Sequence, residues 1–448
     1  MRTVCGFCVL FMLAVCAGAA PVAGRVFHDQ NDNGVLDAGE SGVSGVAVSN
    51  GEAVVVTDGE GQYTLEVADP GIVFMIKPAG WMPPLDPAKK TPNFYYMHRP
   101  DGSPKLLFGG FPATGPLPGE INFPLHPREE DGPLRVLVLG DPQTRNFEEV
   151  QYLLRDLIAE AVGLEVDFGL TLGDNAFDNL SVLDDLVQGI GQAGIPWHYV
   201  PGNHDADYDA PSWEYSYETY QRHVAPAYYA AAYGHTHFII LNDIRFELPS
   251  RDYHAELGER QLAFVKNYLT RVPKDDFIVL LMHIPLMRIT DKAALFDIIA
   301  PFKQCISFSA HTHNHGHFFL DADDGWPRET PHHHIIQGTA CGSWYGGFYN
   351  AVGIPESVMN DGTPKGYAVL TIDGAGYDLA YHASSRPESY QMDIHAPARI
   401  TSEKEEDRQV TVNFWNGTER CNLEMRLNEG AWLSMEQFEG KAPYYSEL

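Results

Sequence analysis

Positive charge is scarce in this chain. Its 448 residues hold 30 Lys and Arg against 60 Asp and Glu, a formal net charge of −30. A surface of that sign repels nucleic acid and anionic lipid, so neither is an expected partner. Cysteine is nearly as rare, with six residues, three of which (Cys5, Cys8, Cys16) sit near the start. Cys305, Cys341 and Cys421 allow at most one bridge and one free thiol, which excludes a disulfide framework. No apolar run is long enough to span a bilayer comfortably, so no transmembrane segment is expected. Internal repeats are absent, and the one dense charge run, 403–408, reads as a solvated turn. With so few basic side chains, an anionic substrate would find its positive charge in a bound metal.

What is present is a globular composition, 44% hydrophobic and 12% aromatic, on a chain long enough for two or three domains. Residues 1–19 read as a secretory leader, with Arg2 ahead of an apolar stretch and Ala17-Gly18-Ala19 as an A-x-A cleavage site. A secreted or periplasmic protein is therefore expected. Leu13-Ala14-Val15-Cys16 offers lipoprotein anchoring as the second reading, weakened because Val15 is larger than the residue such a box has before its Cys. Residues 20–126 read as a β-rich domain, with short strands at 53–57, 63–67 and 72–77 between Gly, Asp and Pro turns. The Pro- and Gly-rich stretch 80–131 reads as the end of that domain and a linker. Residues 132–384 alternate strands with amphipathic helices at 146–162, 178–193 and 256–271, which is α/β patterning. From about 387 to 448 the pattern is β-like again, with strands expected at 409–415, 421–427 and 431–435.

One N-terminal loop has specific chemistry. Asp29, Asn31, Asn33, Gly34, Asp37 and Glu40 match the D-x-N-x-N-G-x5-E calcium loop completely. Oxygen ligands at that spacing suit a hard cation, and the glycine permits the sharp turn. The complete spacing favours one bound calcium over an empty polar turn. The flanks look like strands, and 24–46 resembles the calcium-stabilised prealbumin-like B repeats of bacterial surface proteins, which implies a β-sandwich and a structural role.

The catalytic signal is a pattern of strand ends. Five buried-strand runs finish in Asp141-Pro142-Gln143, Asp174-Asn175, Gly202-Asn203-His204-Asp205, His283 and His311-Thr312-His313. Turn residues after a strand place polar side chains on a rigid rim. The ligand set is nitrogen and oxygen only, without the thiolates of structural zinc, and suits Mn, Fe or Zn in catalytic sites. It is too large for one ion. Two metals roughly 3.5–4 Å apart form the usual clamp for in-line attack at phosphorus. His204, beside an anion, can protonate a poor leaving group, and its neighbour Asp205 is a candidate to hold the imidazole.

In this order the five blocks resemble the calcineurin-like metallophosphoesterases over roughly 132–384. The resemblance implies a four-layer ββα sandwich, an α/β fold, rather than a doubly wound sheet. It implies that Asp141, Gln143, Asp174 and His313 hold one metal, and that Asn203, His283 and His311 hold a second, with Asp174 bridging. It also implies that His204 faces the phosphoryl group without binding metal. The implied activity is phosphoester hydrolysis by a metal-bound hydroxide on a small phosphorylated substrate, nucleotide- or sugar-linked, with a histidine assisting the leaving group. Gln143 stands where most of the family has His. A subset with Asp-x-Gln includes enzymes resembling ADP-ribose and CDP-alcohol pyrophosphatases. A pyrophosphatase or phosphodiesterase on nucleotide-diphosphate conjugates is therefore the alternative.

With the run from His332-His333-His334 to Tyr367 and both flanking segments, the chain resembles a bacterial three-part subfamily. That implies a β-sandwich at 20–126, the catalytic core at 132–384 and a small β domain at 387–448. Trp344 and Tyr345 would either stack on a base or sugar or pack a domain interface, and Asn175 would either touch substrate or pack. Continuing the alternation of His311 and His313, His315 and His317 would face the same side at period two. A non-enzymatic alternative, a calcium-stabilised surface binding protein with a vestigial metal site, has no use for so complete a ligand set.

Overall fold

The structure is a computed structural model that describes residues 18–397 and 409–442. The expected leader up to residue 17 and the charge run at 403–408 lie outside the described residues. Phe168–Leu172, Trp197–Val200 and Phe277–Leu281 are buried along their whole length. Strands that are apolar on both faces need cover on both sides. Two mixed sheets provide it. The first runs in the order Trp197–Val200, Phe168–Leu172, Leu134–Leu139, Gly366–Asp373, Gly376–Ala383, and its first three strands are parallel. The second runs Tyr229–Tyr233, Thr236–Ile240, Phe277–Leu281, Gln304–Ser309, His332–Ile336, Gly316–Leu320, with parallel strands in the middle and antiparallel ones at both edges. Helices contact one another in pairs, Phe147–Leu153 with Leu183–Ile190 and Gly258–Leu269 with Lys292–Ile299. The fold is the ββα sandwich.

The helix expected over 146–162 is broken. An α-helix at Phe147–Leu153 widens to a π-helical stretch at Leu154–Ile158 before a last turn at Ala159–Ala161. The widened stretch carries the buried Asp156, whose carboxylate sits 2.5 Å from the buried Lys365 ammonium and accepts from the Ser385 hydroxyl. The segment 178–193 is a central helix, Leu183–Ile190, between two 3-10 turns.

The N-terminal part forms two four-stranded sheets. One holds Gln62–Val67, Ala20–His28, Phe123–Pro127 and Trp81–Met82, and the other Val54–Val56, Ala47–Ser49, Gly71–Met75 and Tyr95–His98. The stretch 80–131, read as domain end and linker, supplies three of these strands. Their partners lie far away in sequence, so local Pro and Gly content hides them. Two buried ion pairs join this part to the core. Lys77 lies 2.6 Å from Glu130 and donates to the Ala232 carbonyl, and Arg99 lies 2.6 Å from Glu218.

At the C-terminal end, Met392–His395 pairs with Thr411–Phe414, and Glu424–Met425 with Leu433–Ser434, much shorter than the strands expected at 421–427 and 431–435. Asn416 docks this part on the core, its Oδ1 accepting from His315 (3.1 Å) and His317 (2.9 Å). His315 and His317 thus share one side, facing Asn416, and the period-two expectation fails only in extending that side to His311 and His313. His311 and His313 precede the strand in a turn, with φ of 70° and 50°, where strand alternation does not hold. Cys305, Cys341 and Cys421 are all free thiols.

Candidate metal centre

Each of the five strands that carry the sequence blocks ends at the carboxyl edge of its sheet, where open α/β sheets place ligands. Two glycines let the turns close on one another. A Cβ at Gly173 would lie 2.5 Å from His283 Nδ1, and one at Gly202 would lie 1.9 Å from the Asp174 nitrogen.

Asp174 is at the centre. Its Oδ1 accepts the His204 backbone N–H at 2.8 Å, and its Oδ2 accepts from Gln143 Nε2 at 3.0 Å and lies 3.3 Å from His283 Nε2. The same His283 nitrogen is 3.1 Å from Asn203 Oδ1 and 3.1 Å from His311 Nδ1. His283 Nδ1 is engaged by the Leu172 carbonyl, so Nε2 is the atom turned to this cluster. His313 Nδ1 donates to the Gly342 carbonyl, leaving Nε2 to face Asp141 Oδ1 at 3.9 Å. Asp141 is fully buried; its Oδ2 accepts from His311 N, and its Oδ1 has no hydrogen-bond partner among the described residues. All seven residues expected to bind metal are thus in one network. Gln143 presents its amide nitrogen to Asp174, and a half-turn of the amide, which keeps its shape, presents Oε1 instead.

Backbone strain collects here. Asp141 (φ 33°), Gln143 (44°), Asp174 (47°), His311 (70°) and His313 (50°) all occupy the left-handed region. For a non-glycine residue this costs about 1–2 kcal/mol each, and such strain gathers at functional sites.

The charges fit a cation. Burial pushes the Asp141 carboxyl up, and Asp174 adds to this. Burial would also raise Asp174, but the His283 charge and hydrogen bond, with His204, hold it well below the usual carboxylate range. Burial would depress His283, yet the carboxylates of Asp174 and Asp141 raise it to about 10. A buried pocket that draws positive charge onto an imidazole, beside a carboxylate oxygen with no partner, has the donor set for metal. Asp174, His283 and His311 alone bring three ligand atoms within 4.8 Å.

His204 stands at the edge of this cluster. Its Nδ1 is 2.6 Å from Asp178 Oδ1, and its ring stacks on Phe177 at 4.2 Å. Burial would lower its pKa, but Asp178 and the charge of Asp174 outweigh burial and raise it. The expectation that Asp205 holds this imidazole is wrong. Asp205 is fully buried and accepts from the N–H groups of Asn175, Ala176 and Gly202 and from the Asn175 amide. It braces the turns that carry Asp174 and Asn203, and Asp178 takes the place beside the imidazole that was expected of it. Asn175 is also corrected: its side chain is buried between Thr171 Oγ1, the Val200 carbonyl and Asp205, away from any substrate. Tyr345 is buried, with its hydroxyl donating to the Pro142 carbonyl, so it packs and does not line a pocket mouth. Trp344 is 45% exposed and stacks on His313 at 4.5 Å. Cys341 is buried, and burial raises its thiol, which leaves it unsuited to attack.

In the N-terminal loop the predicted calcium residues bond to one another. Asp37 Oδ2 accepts from the amides of Asn31 and Asn33, Asp29 accepts the N–H of Asn33 and Gly34, and Glu40 accepts those of Gln30 and Asp37. A different set, Asp29, Asp32 and His126, brings ligand atoms within 4.8 Å there.

Comparison with known families assigns three consecutive segments. Residues 30–109 match the N terminal of calcineurin-like phosphoesterase, 134–315 the calcineurin-like phosphoesterase domain itself, and 334–448 its C terminal. The chain belongs to the calcineurin-like phosphoesterases. It is a metallophosphoesterase of the three-part kind, and the vestigial-site reading falls away. No curated protein matches it in sequence. Among solved structures it is similar to a purple acid phosphatase from yellow lupin seeds, at 14% identity over 82% of this chain and 67% of that one, TM-score 0.41. It is also similar to a dimetal phosphatase from Danio rerio, at 12% identity over 57% and 98%, TM-score 0.38, and to PhoD, at 9% over 90% and 83%, TM-score 0.41.

Proposed function

We propose that this metallophosphoesterase hydrolyses small phosphorylated substrates with two transition metals, Mn, Fe or Zn. Asp141, Gln143, Asp174 and His313 would hold one, and Asp174, Asn203, His283 and His311 the other. When bound, the cations supply the positive charge that neutralises phosphoryl oxygens and makes water acidic enough to attack near neutral pH. The clustering of these seven side chains carries the reading: Gln143 and His283 reach Asp174 at 3.0 and 3.3 Å, Asn203 and His311 reach His283 at 3.1 Å, and His313 faces Asp141 at 3.9 Å.

The chain's own residues do the rest. Asp178 fixes His204 through Nδ1, so Nε2 is the nitrogen that gives a proton to the departing oxygen. Phe177 holds the ring plane. Asp205 ties Gly202 to Ala176 and keeps the Asn203–His204 turn in register with Asp174. Gln143, an amide where the family resemblance implies an imidazole, supports a second reading in which the substrate is a phosphodiester or a diphosphate conjugate.

The decisive experiment is elemental analysis beside hydrolysis of aryl phosphates. Asp174→Ala should lose both metals and all turnover, and two ions retained in that variant would sink the bridge. The same reading puts the protein outside the cytoplasm, supported by the 1–19 leader and by the start of the first strand at Ala20, directly after the A-x-A site. Fractionation of cells expressing the full chain tests it, since a purely cytoplasmic enzyme contradicts it.

A further inference from the structure

A large aromatic side chain half in water beside a metal ligand is costly to leave there. Trp344 is 45% exposed, yet one face of its indole lies 4.5 Å from the His313 ring at an interplanar angle of 30°. Both Trp344 (φ 51°) and Tyr345 (φ 54°) are in the left-handed region, where two consecutive aromatics are strained. Neighbouring groups hold the turn in that form. Tyr345 is buried with its hydroxyl on the Pro142 carbonyl, the Ser343 N–H donates to Ser357 Oγ at 2.7 Å, and Arg145 Nη2 donates to the Trp344 carbonyl at 2.6 Å. The same guanidinium lies 5.7 Å over the Phe177 ring, which stacks on His204. Trp344, Arg145 and Phe177 therefore link His313 to His204 through a continuous run of contacts.

A tryptophan placed only to shield His313 would gain most from full burial. Here the strained turn holds the residue 45% exposed instead. Flat side chains held rigid and half-exposed bind flat groups, because stacking needs a π-face and tolerates different rings. Arg145 is half-exposed beside it, with Nε paired to Glu149 at 2.8 Å and Nη2 on the Trp344 carbonyl, which leaves Nη1 to meet an anionic oxygen on the same molecule.

We propose that Trp344 is the stacking platform for the organic half of the substrate, and that this half carries a planar ring, a nucleobase or a comparable aryl group. The proposal rests on the phosphoesterase reading and names its substrate class. A rigid ring of this kind discriminates by about 10- to 100-fold between ligands with and without a base.

The test compares adenosine 5′-phosphate with ribose 5-phosphate on the metal-loaded full chain. Isothermal titration calorimetry reports binding, and competition against p-nitrophenyl phosphate and bis(p-nitrophenyl) phosphate reports occupancy of the active site. The wild type should prefer the base-bearing ligand by at least tenfold, Trp344→Ala should bring the ratio to about one, and Trp344→Phe should restore most of it. An unchanged ratio in Trp344→Ala overturns the proposal. So does loss of metal in that variant, which would make Trp344 a brace for His313. Failure of the wild type to hydrolyse either p-nitrophenyl ester would count against the phosphoesterase reading, while the calorimetric affinity ratio would still decide the platform.

Discussion

Replacing Asp178 with Asn keeps the shape of the side chain and removes the charge that faces His204. The contact is 2.6 Å from Nδ1 to Oδ1, within the range of a charge-assisted hydrogen bond. Such bonds contribute about 1.5–3 kcal/mol, and the lower end applies because the Asp178 side chain is 34% exposed and water screens it. At 1.36 kcal/mol per factor of ten, kcat should fall roughly tenfold to thirtyfold. The loss should depend on the leaving group. A proton donor matters most for an alkyl phosphate, whose alkoxide leaves poorly, and least for p-nitrophenyl phosphate. Metal content should be unchanged, since Asp178 touches His204 and not the metal cluster. Asp205→Asn is the contrasting variant. The new NH2 group would replace either Oδ1, which accepts one N–H, or Oδ2, which accepts three, so it should lower the melting temperature and metal content, and kcat should fall equally for both esters. Equal losses on both esters in Asp178→Asn, or metal lost with it, would refute the assignment of Asp178 as the partner of His204.

Three further outcomes are expected. Glu218→Gln should cost about 3–5 kcal/mol in urea unfolding, because it leaves Arg99 buried without its counter-charge, whereas replacing both residues with apolar ones should cost much less; equal losses would show that packing, not charge, joins the N-terminal part to the core. Burial, helped by Lys77 and Arg128, lowers the His198 pKa to about 3, below its unfolded value near 6.5. The stability it contributes is therefore present above pH 6.5 and is lost as pH falls towards 3, about 2 kcal/mol of it by pH 5. The stability gap between wild type and His198→Phe should change by that amount between pH 7.5 and 5, and parallel curves would contradict it. Calcium should raise the melting temperature of the full chain, and Asp29→Ala should abolish the shift; a wild type indifferent to calcium removes that ion from the loop.

Much of the centre was legible in the sequence because each ligand follows a buried apolar strand, and a strand end fixes position independently of the rest of the fold. What was misread involves neighbours in sequence that are not neighbours in space. His204 and Asp205 lie in a 3-10 turn, where consecutive side chains diverge by about a third of a turn. One faces Asp178 and the other enters the core, so adjacency pointed to the wrong carboxylate. Asp178 carries a weak signal, a carboxylate four residues after Asp174, in a turn where its φ is 60°. Trp344 and Tyr345 part in the same way, one outward and one buried. The expected helix at 146–162 was right in period but not in winding, since nothing local announces that Asp156 must reach Lys365, more than two hundred residues away.

The left-handed residues explain why this centre needs a sandwich around it. Glycine would take those conformations without strain, but it has no carboxylate, amide or imidazole to offer. Five ligands accept the strain, and the glycines fall at Gly173 and Gly202, where a Cβ would strike His283 or Asp174. The conformations persist only because both sheets end on the same cluster and the contacts of each turn fix the next: Gln143 N–H on the Asp174 carbonyl, His311 N–H on Asp141, His204 N–H on Asp174. Each of these bonds joins turns from different strands. The site is therefore held by agreement among the strands, and replacing a brace such as Asp205 is expected to lower metal content as replacing a ligand would.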